Sequence, residues 1–200
     1  MRKDDLLALI ADNAGRITTG AAREAGFPNT LLSLLEREGA VELETRGVWA
    51  LADTPLDDFA VVALRWPRLA FSHGSALYLN GLSDRVPSFL ELRCPRGYRP
   101  TAIAREFPGL IVRTAMPDSF QLGLTNGTSP TGTPLKLYDS ERCICDILLE
   151  RRRGQADLQL LRDAVTGYMK SRSKDLPKLA RYAKELGVQD ELRVYTEVIA

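Results

Sequence analysis

Apolar residues recur at helical spacing from the start of the chain. Leu6, Leu9 and Ile10 lie three and four positions apart behind Asp4 and Asp5, which are placed to cap, and they predict a first helix. Gly15-Arg16-Ile17-Thr18-Thr19 interrupts the period and offers threonine caps to an alanine-rich second helix, Ala21 to Ala25. After the turn Gly26-Phe27-Pro28, Asn29 is placed as the N-cap of a third helix, Thr30 to Glu38, closed by Gly39. At 100° per residue this helix puts Leu31, Leu34 and Leu35 on one side and Asn29, Thr30, Ser33, Glu36 and Arg37 on the other. The period then changes to two: Val41, Leu43 and Thr45 alternate with Glu42 and Glu44, Arg46-Gly47 turns the chain, and Val48-Trp49-Ala50-Leu51 returns. Helix, helix, turn, helix and wing, in that order, predict a winged helix-turn-helix over residues 1–54.

Thr54-Pro55-Leu56-Asp57-Asp58 reads as a linker, followed by a short helix from Phe59 to Trp66 ended by Pro67. Ser72 is placed to cap a helix running to about Asn80, and Gly81 begins a polar loop to Pro87. Leu90, Leu92 and Cys94 alternate with Glu91 and Arg93, and 110–113, 120–124 and 135–138 are further strand candidates between Pro/Gly-rich turns. Beyond Asp139-Ser140 the pattern is helical again, with Ile144, Ile147 and Leu148 on one stripe and Leu158, Leu161, Val165 and Tyr168 on the next. Leu179, Tyr182, Ala183 and Leu186 make a third stripe, and Leu192, Tyr195 and Ile199 a fourth. The expected fold is α+β: a winged helix-turn-helix, then a mixed domain over 55–200 with a small, largely antiparallel sheet and C-terminal helices.

Composition changes this picture little. With 44% hydrophobic and 26% charged residues the chain is ordinary globular material. The apolar stretch after Met1-Arg2-Lys3 breaks at Asp12, too short for a membrane span or a signal peptide. Cys94, Cys143 and Cys145 form neither an even disulfide set nor paired CxxC hooks, which fits a reducing compartment, and a cytoplasmic location is expected.

Charge matters more. The net +1 hides an uneven distribution: residues 1–54 hold six Lys/Arg against nine Asp/Glu, and 55–200 hold 21 against 17. A DNA-binding reading places Asn29, Thr30, Ser33 and Arg37 at base edges or flanking phosphates, with Arg16, Thr18 and Thr19 near the second helix and Arg46 at the wing tip on the backbone. Glu36, Glu42 and Glu44 oppose it, since phosphate neutralisation supplies most non-specific affinity. Arg93, Arg96, Arg99, Arg105 and Arg113 are a possible additional basic surface, and Arg151-Arg152-Arg153 suits a helix C-terminus.

No enzyme is expected. His73 is the only histidine, flanked by Ser72 and Ser75 without a GxSxG elbow, and reads as structural. Cys143-Ile144-Cys145 sits in an apolar helical pattern and reads as packing rather than as a zinc hook. Residues 123–132 lack the GK[ST] ending of a phosphate loop and read as a plain loop, while Asp139, Glu141 and Asp146 are accounted for by capping and by pairing with Arg142. Neither a cofactor, a metal nor a membrane partner is expected.

Two stretches, Phe71-Ser72-His73-Gly74-Ser75-Ala76-Leu77-Tyr78-Leu79-Asn80-Gly81-Leu82 and Leu137-Tyr138-Asp139-Ser140-Glu141-Arg142-Cys143-Ile144-Cys145-Asp146-Ile147-Leu148, resemble motifs of the AbiEi-type antitoxins. Leu179-Ala180-Arg181-Tyr182-Ala183, Val188 and Tyr195-Thr196-Glu197-Val198 resemble the family's C-terminal helices, and a commoner form of the second motif has threonine at the position of Cys143. The resemblance implies two roles: repression of the chain's own operon through inverted repeats in promoter DNA, and neutralisation of a cognate toxin with a nucleotidyltransferase-like fold, with or without direct contact. The acidic balance of 1–54 keeps an alternative open, a protein-protein adaptor whose tri-helical unit never touches DNA.

Overall fold

A computed structural model describes residues 3–154 and 157–199, apart from the side chains of Pro100 and 196–199. Expectations placed on Met1, Arg2, Thr196, Glu197, Val198 and Ile199 lie outside the residues or side chains described. Among the described residues the fold is α+β, with two sheets of three and five strands. The chain forms two compact units, 3–67 with 127–135, and 68–126 with 136–199. The division after Pro67 differs from the expected linker at 54/55, and the first unit also takes in a later stretch of chain.

The first unit runs α1 (Lys3–Asp12), β1 (Arg16–Thr18), α2 (Thr19–Glu24), α3 (Asn29–Arg37), β2 (Val41–Thr45), β3 (Val48–Leu51) and α4 (Asp58–Arg65). Asp4 and Asp5 lie inside the first turn of α1 rather than capping it, where their charge still favours the helix dipole. The interrupting segment 16–18 is a strand: Ile17 pairs with Trp49, so the hairpin gains a third, antiparallel member in the order β1-β3-β2. Leu6, Ile10, Ile17, Ala22, Phe27, Leu32, Leu35, Val41 and Trp49 form one core. Asp57 is no linker residue. It caps α4, accepting from Ala60 N at 3.1 Å, and its second oxygen accepts from Thr131 N and Oγ1 at 3.0 and 2.7 Å.

The second unit holds most of the sheet β6-β5-β4-β8-β7, from β4 (Ala70–Phe71), β5 (Leu90–Pro95), β6 (Leu110–Ala115), β7 (Leu124–Thr128) and β8 (Pro134–Tyr138). The sheet is mixed rather than largely antiparallel: β4 pairs antiparallel with β5, but β5–β6 and β4–β8 are parallel. Parallel neighbours need a crossover. Between β5 and β6 it is α6 (Pro100–Glu106), which the sequence reading did not anticipate. Two other expectations change. The strand expected over 120–124 is helical at its start, within α7 (Pro117–Gln121) with proline in its first turn, and β7 takes up 124–128 of the expected loop.

The remaining elements are α5 (His73–Leu79), α8 (Ser140–Arg152), α9 (Leu158–Lys170), α10 (Leu176–Leu186) and α11 (Gln189–Ile199). Among their stripes, Leu161, Val165 and Tyr168 are buried while Leu158 is 58% exposed at the start of α9. Arg151 stacks on the Tyr195 ring and Arg152 donates to Gly187 O at 2.7 Å, so the end of the arginine triplet's helix is tied down by its own basic residues. No helix among the described residues is long and apolar enough to cross a membrane.

Candidate functional site

The outward face of α3 is the first candidate. The helix starts one residue earlier than expected, with Pro28 at the N-cap position in extended conformation, so Asn29 is the first helical residue and caps nothing. Its side chain is free for solvent or a ligand: Asn29, Thr30 and Arg37 are exposed and Ser33 is half-buried. The buried face is Leu32 and Leu35 with Leu31 half-buried, whereas Leu34, expected inward, is 39% exposed. The polar face therefore carries one apolar side chain among Thr30, Ser33 and Arg37.

Around that face the residues expected on DNA divide into two groups. Thr18 Oγ1 accepts from Ala21 N at 3.0 Å and caps α2, and Thr19 Oγ1 accepts from the Trp49 indole at 2.8 Å. Both hydroxyls are used in holding α2 on the sheet. Arg46 stands exposed at the β2–β3 turn. Arg16 does not belong to the surface at all: it is 1% exposed. Its Nε and Nη2 each donate to the Glu44 carboxylate at 2.7 Å, Nη2 also reaches Pro55 O, and Nη1 donates to Thr131 Oγ1 at 3.2 Å. A guanidinium with those partners cannot meet a phosphate without unfolding its surroundings.

Glu44 pairs with Arg16 and Glu38 with Lys3, so each of these acids is matched by a base and the acid excess of residues 1–54 is unchanged. The other exposed charges on α2, α3 and the β2–β3 hairpin are Arg23, Arg37 and Arg46 against Glu24, Glu36 and Glu42. The face is balanced, not basic.

In the second unit the sheet arginines part company. Arg96, Arg99 and Arg105 are exposed in the β5–α6 turn and on α6. Arg93 donates to Asp146 at 2.9 Å, and Arg113 reaches both Glu91 and Glu150, at 3.0 and 2.9 Å. These two are half-buried ion-pair partners, not a basic surface.

Arg113 leads to a cluster the sequence reading missed. His73, Glu91 and Glu150 bring one ligand-type atom each to within 4.8 Å of one another. They come from the first residue of α5, from β5 and from α8, so no local spacing marks them. His73 is 2% exposed and sits at φ +48°, a left-handed backbone that a non-glycine residue adopts only at a cost of about 1–3 kcal/mol. Its Nδ1 lies 2.9 Å from Ser72 Oγ and its Nε2 3.3 Å from Glu150 Oε1. Ser72 therefore faces the imidazole instead of capping α5. Burial lowers the His73 pKa, against the raising influence of Asp146, Glu150 and Glu91.

The cysteines are packing groups: all three are free and buried. Burial, then the nearby Asp146, pushes the Cys145 thiol up to about 12, and Cys143 is raised by burial, Asp146 and Asp139. Asp139 caps α8 through Arg142 N at 2.9 Å. Arg142, fully buried, pairs with Asp146 at 3.0 Å, donates to Ser119 O and Leu122 O, and stacks on the Tyr138 ring. Glu141 takes the Tyr168 hydroxyl at 2.9 Å and the Lys178 ammonium at 2.9 Å. The two motif stretches lie side by side: Phe71 pairs with Leu137 in register, and Asn80 Nδ2 donates to Tyr138 O at 2.9 Å.

No family model and no curated protein matches the chain. Among solved structures it is similar to the crystal structure of the RV2827C protein from Mycobacterium tuberculosis, at 13% identity over 94% of this chain and 78% of that one, with a TM-score of 0.48.

Proposed function

We propose that this chain is a DNA-binding transcriptional regulator that represses its own operon and acts as the antitoxin of a type IV, AbiE-like toxin-antitoxin pair. The observation that carries the reading is the order α1-β1-α2-α3-β2-β3, which fits a winged helix-turn-helix, with α3 presenting Asn29, Thr30, Ser33 and Arg37 outward. In this reading those four read base edges or adjacent phosphates and Arg46 on the wing meets the backbone, while Arg16, Thr18 and Thr19 hold the reader together. The two motif stretches, adjacent in the second unit, support the antitoxin half, whose partner is a nucleotidyltransferase-like toxin. The protein works in the cytoplasm and catalyses nothing itself.

The balanced charge predicts weak non-specific binding and a shallow salt dependence, because few phosphates are neutralised. The test is titration of promoter DNA containing the inverted repeat, against scrambled DNA, over a range of salt. Preference for the repeat supports the reading. Equal, weak binding to both sequences favours a protein-protein adaptor, for which Leu34 and Leu43, 39% and 47% exposed on α3 and β2, are the supporting observation.

A further inference from the structure

We propose that His73, Glu91 and Glu150 form a binding site for one divalent first-row transition ion of the zinc or manganese kind, held by an imidazole nitrogen and two carboxylate oxygens, with Arg113 as its competitor. The three donor atoms already lie within 4.8 Å of one another, close enough for one ion to span them after small side-chain rotations. One nitrogen and two hard oxygens is a donor set for zinc, manganese or ferrous iron rather than for calcium or magnesium, which prefer oxygen alone.

The surroundings are built to hold these donors. His73 keeps its strained left-handed backbone, and Ser72 Oγ fixes its Nδ1, which leaves Nε2 turned toward Glu150. A ligating histidine whose other nitrogen is held in this way is the usual outer-shell arrangement at metal centres. Glu91 is fixed by Gly74 N, which donates to its Oε2 at 2.9 Å. A Cβ at position 74 would stand 3.0 Å from that oxygen, so glycine permits the approach. Asp146, one helical turn before Glu150, is fully buried, with its Oδ1 paired to Arg93 and Arg142 and its Oδ2 lacking a hydrogen-bond partner among the described residues. A cavity of about 320 Å³, lined by Gly74, Phe89, Glu91 and Ile111, lies against the Glu91 side of the cluster.

Arg113 decides the affinity. Its Nη1 and Nη2 bridge Glu91 and Glu150, so one positive charge stands against two carboxylates where a divalent ion would balance both. The Arg113 side chain is 37% exposed and can swing into solvent, which makes exchange with a metal feasible without moving the backbone. A purely structural ion network and a metal site thus predict opposite results for its removal.

The experiment is isothermal titration of the chelator-treated full chain with zinc, manganese and magnesium chlorides, beside cobalt absorption spectroscopy. The expected result is one ion per chain, bound more tightly as zinc than as manganese and far more weakly as magnesium, with no thiolate-to-cobalt charge-transfer band. Arg113→Gln should tighten binding. Glu150→Gln and His73→Asn should each weaken it by at least about tenfold, the loss typical of even outer-shell changes; asparagine tolerates the left-handed backbone at position 73. Should His73→Asn fail to fold, Glu150→Gln, near the end of α8, carries the test alone. The proposal is overturned if wild type and Arg113→Gln both bind nothing, if folded Glu150→Gln binds like wild type, or if a thiolate band assigns the metal to cysteine.

Discussion

Replacing Arg16 by alanine separates the structural role found here from the phosphate contact that its position in the sequence implies. The substitution strands Glu44, whose side chain is 6% exposed and whose two oxygens both face the guanidinium. Removing one partner of a buried pair typically costs about 3–5 kcal/mol, because the remaining charge is neither solvated nor compensated. Pro55 O and Thr131 Oγ1 lose a donor as well. For a unit of this size each kcal/mol moves the midpoint by about 4–8 °C, so the first unit of Arg16→Ala should melt at least about 12 °C below wild type. Arg16→Lys should recover only part, since an ammonium cannot span both Glu44 oxygens as a fork. Arg16→Met combined with Glu44→Leu should recover most of it, as apolar replacement of both partners is often near neutral. Thermal melts followed by circular dichroism, with operator titration below the lowest midpoint, give the readout. An Arg16→Ala protein that melts like wild type but has lost operator affinity would refute this assignment and restore Arg16 to the DNA surface.

Other outcomes follow from the same geometry. Asn29→Ala and Arg37→Ala should each lower operator affinity by about 1–3 kcal/mol per base contact while leaving the melt unchanged, and an unaltered operator isotherm in the double variant removes α3 as the reading helix. Asp57 is held below its ordinary pKa of 3.8: burial raises it, but hydrogen bonds from Thr131, Ser129 and the Ala60 N–H outweigh that. A depressed carboxylate contributes stability that is present above its unfolded value and lost as pH falls through the folded one, so urea midpoints should drop below about pH 4, and less so in Asp57→Asn. An identical acid limb in the variant counts against the assignment. Cys94, Cys143 and Cys145 should resist a disulfide reagent until the chain is unfolded by denaturant, given their burial and the raised thiols of Cys143 and Cys145; rapid labelling of the native protein contradicts this.

What the sequence makes legible is whatever is written at one period over a continuous stretch. The helical stripes of α1, α8 and α10 and the alternation of β5 are of this kind, whereas β2 loses its alternation at a register shift between Leu43 and Thr45 that leaves Leu43 exposed and turns Glu44 onto Arg16. The facing of α3 is not, because four leucines within 31–35 fit two adjacent rotations about equally well, and the core takes Leu32 where the spacing favours Leu34. β1 has three residues and owes its existence to pairing with β3, thirty positions on. α6 and α7 hide behind Pro100 and Pro117, which read as breakers but stand in a first turn, where proline's missing N–H costs nothing. The charged residues are the hardest. Arg16 beside a turn looks like surface and Glu44 looks like a liability until the fold brings them together across 28 positions. His73, Glu91 and Glu150 share no spacing at all.

The discontinuity of the first unit bears on how the two proposed roles can be pulled apart. A cut at the apparent linker, keeping everything from Leu56 onward, is the natural way to isolate a toxin-neutralising part from a DNA-reading part. Yet Thr131 belongs to the first unit, bonded to Asp57 and to Arg16, and α4 buries Phe59, Val61 and Val62 in that unit as well. Such a fragment would expose the apolar side of α4 and leave 127–135 without Arg16, so loss of protection in it would report damage rather than division of labour. Exposed side chains on α3 do not share this difficulty. Asn29 and Arg37 have no part in the core, and their removal leaves every buried partner of Asp57 and Thr131 in place. A full-length Asn29→Ala/Arg37→Ala protein that no longer binds the operator but still protects cells from the toxin is therefore the observation that divides the roles, where truncation cannot.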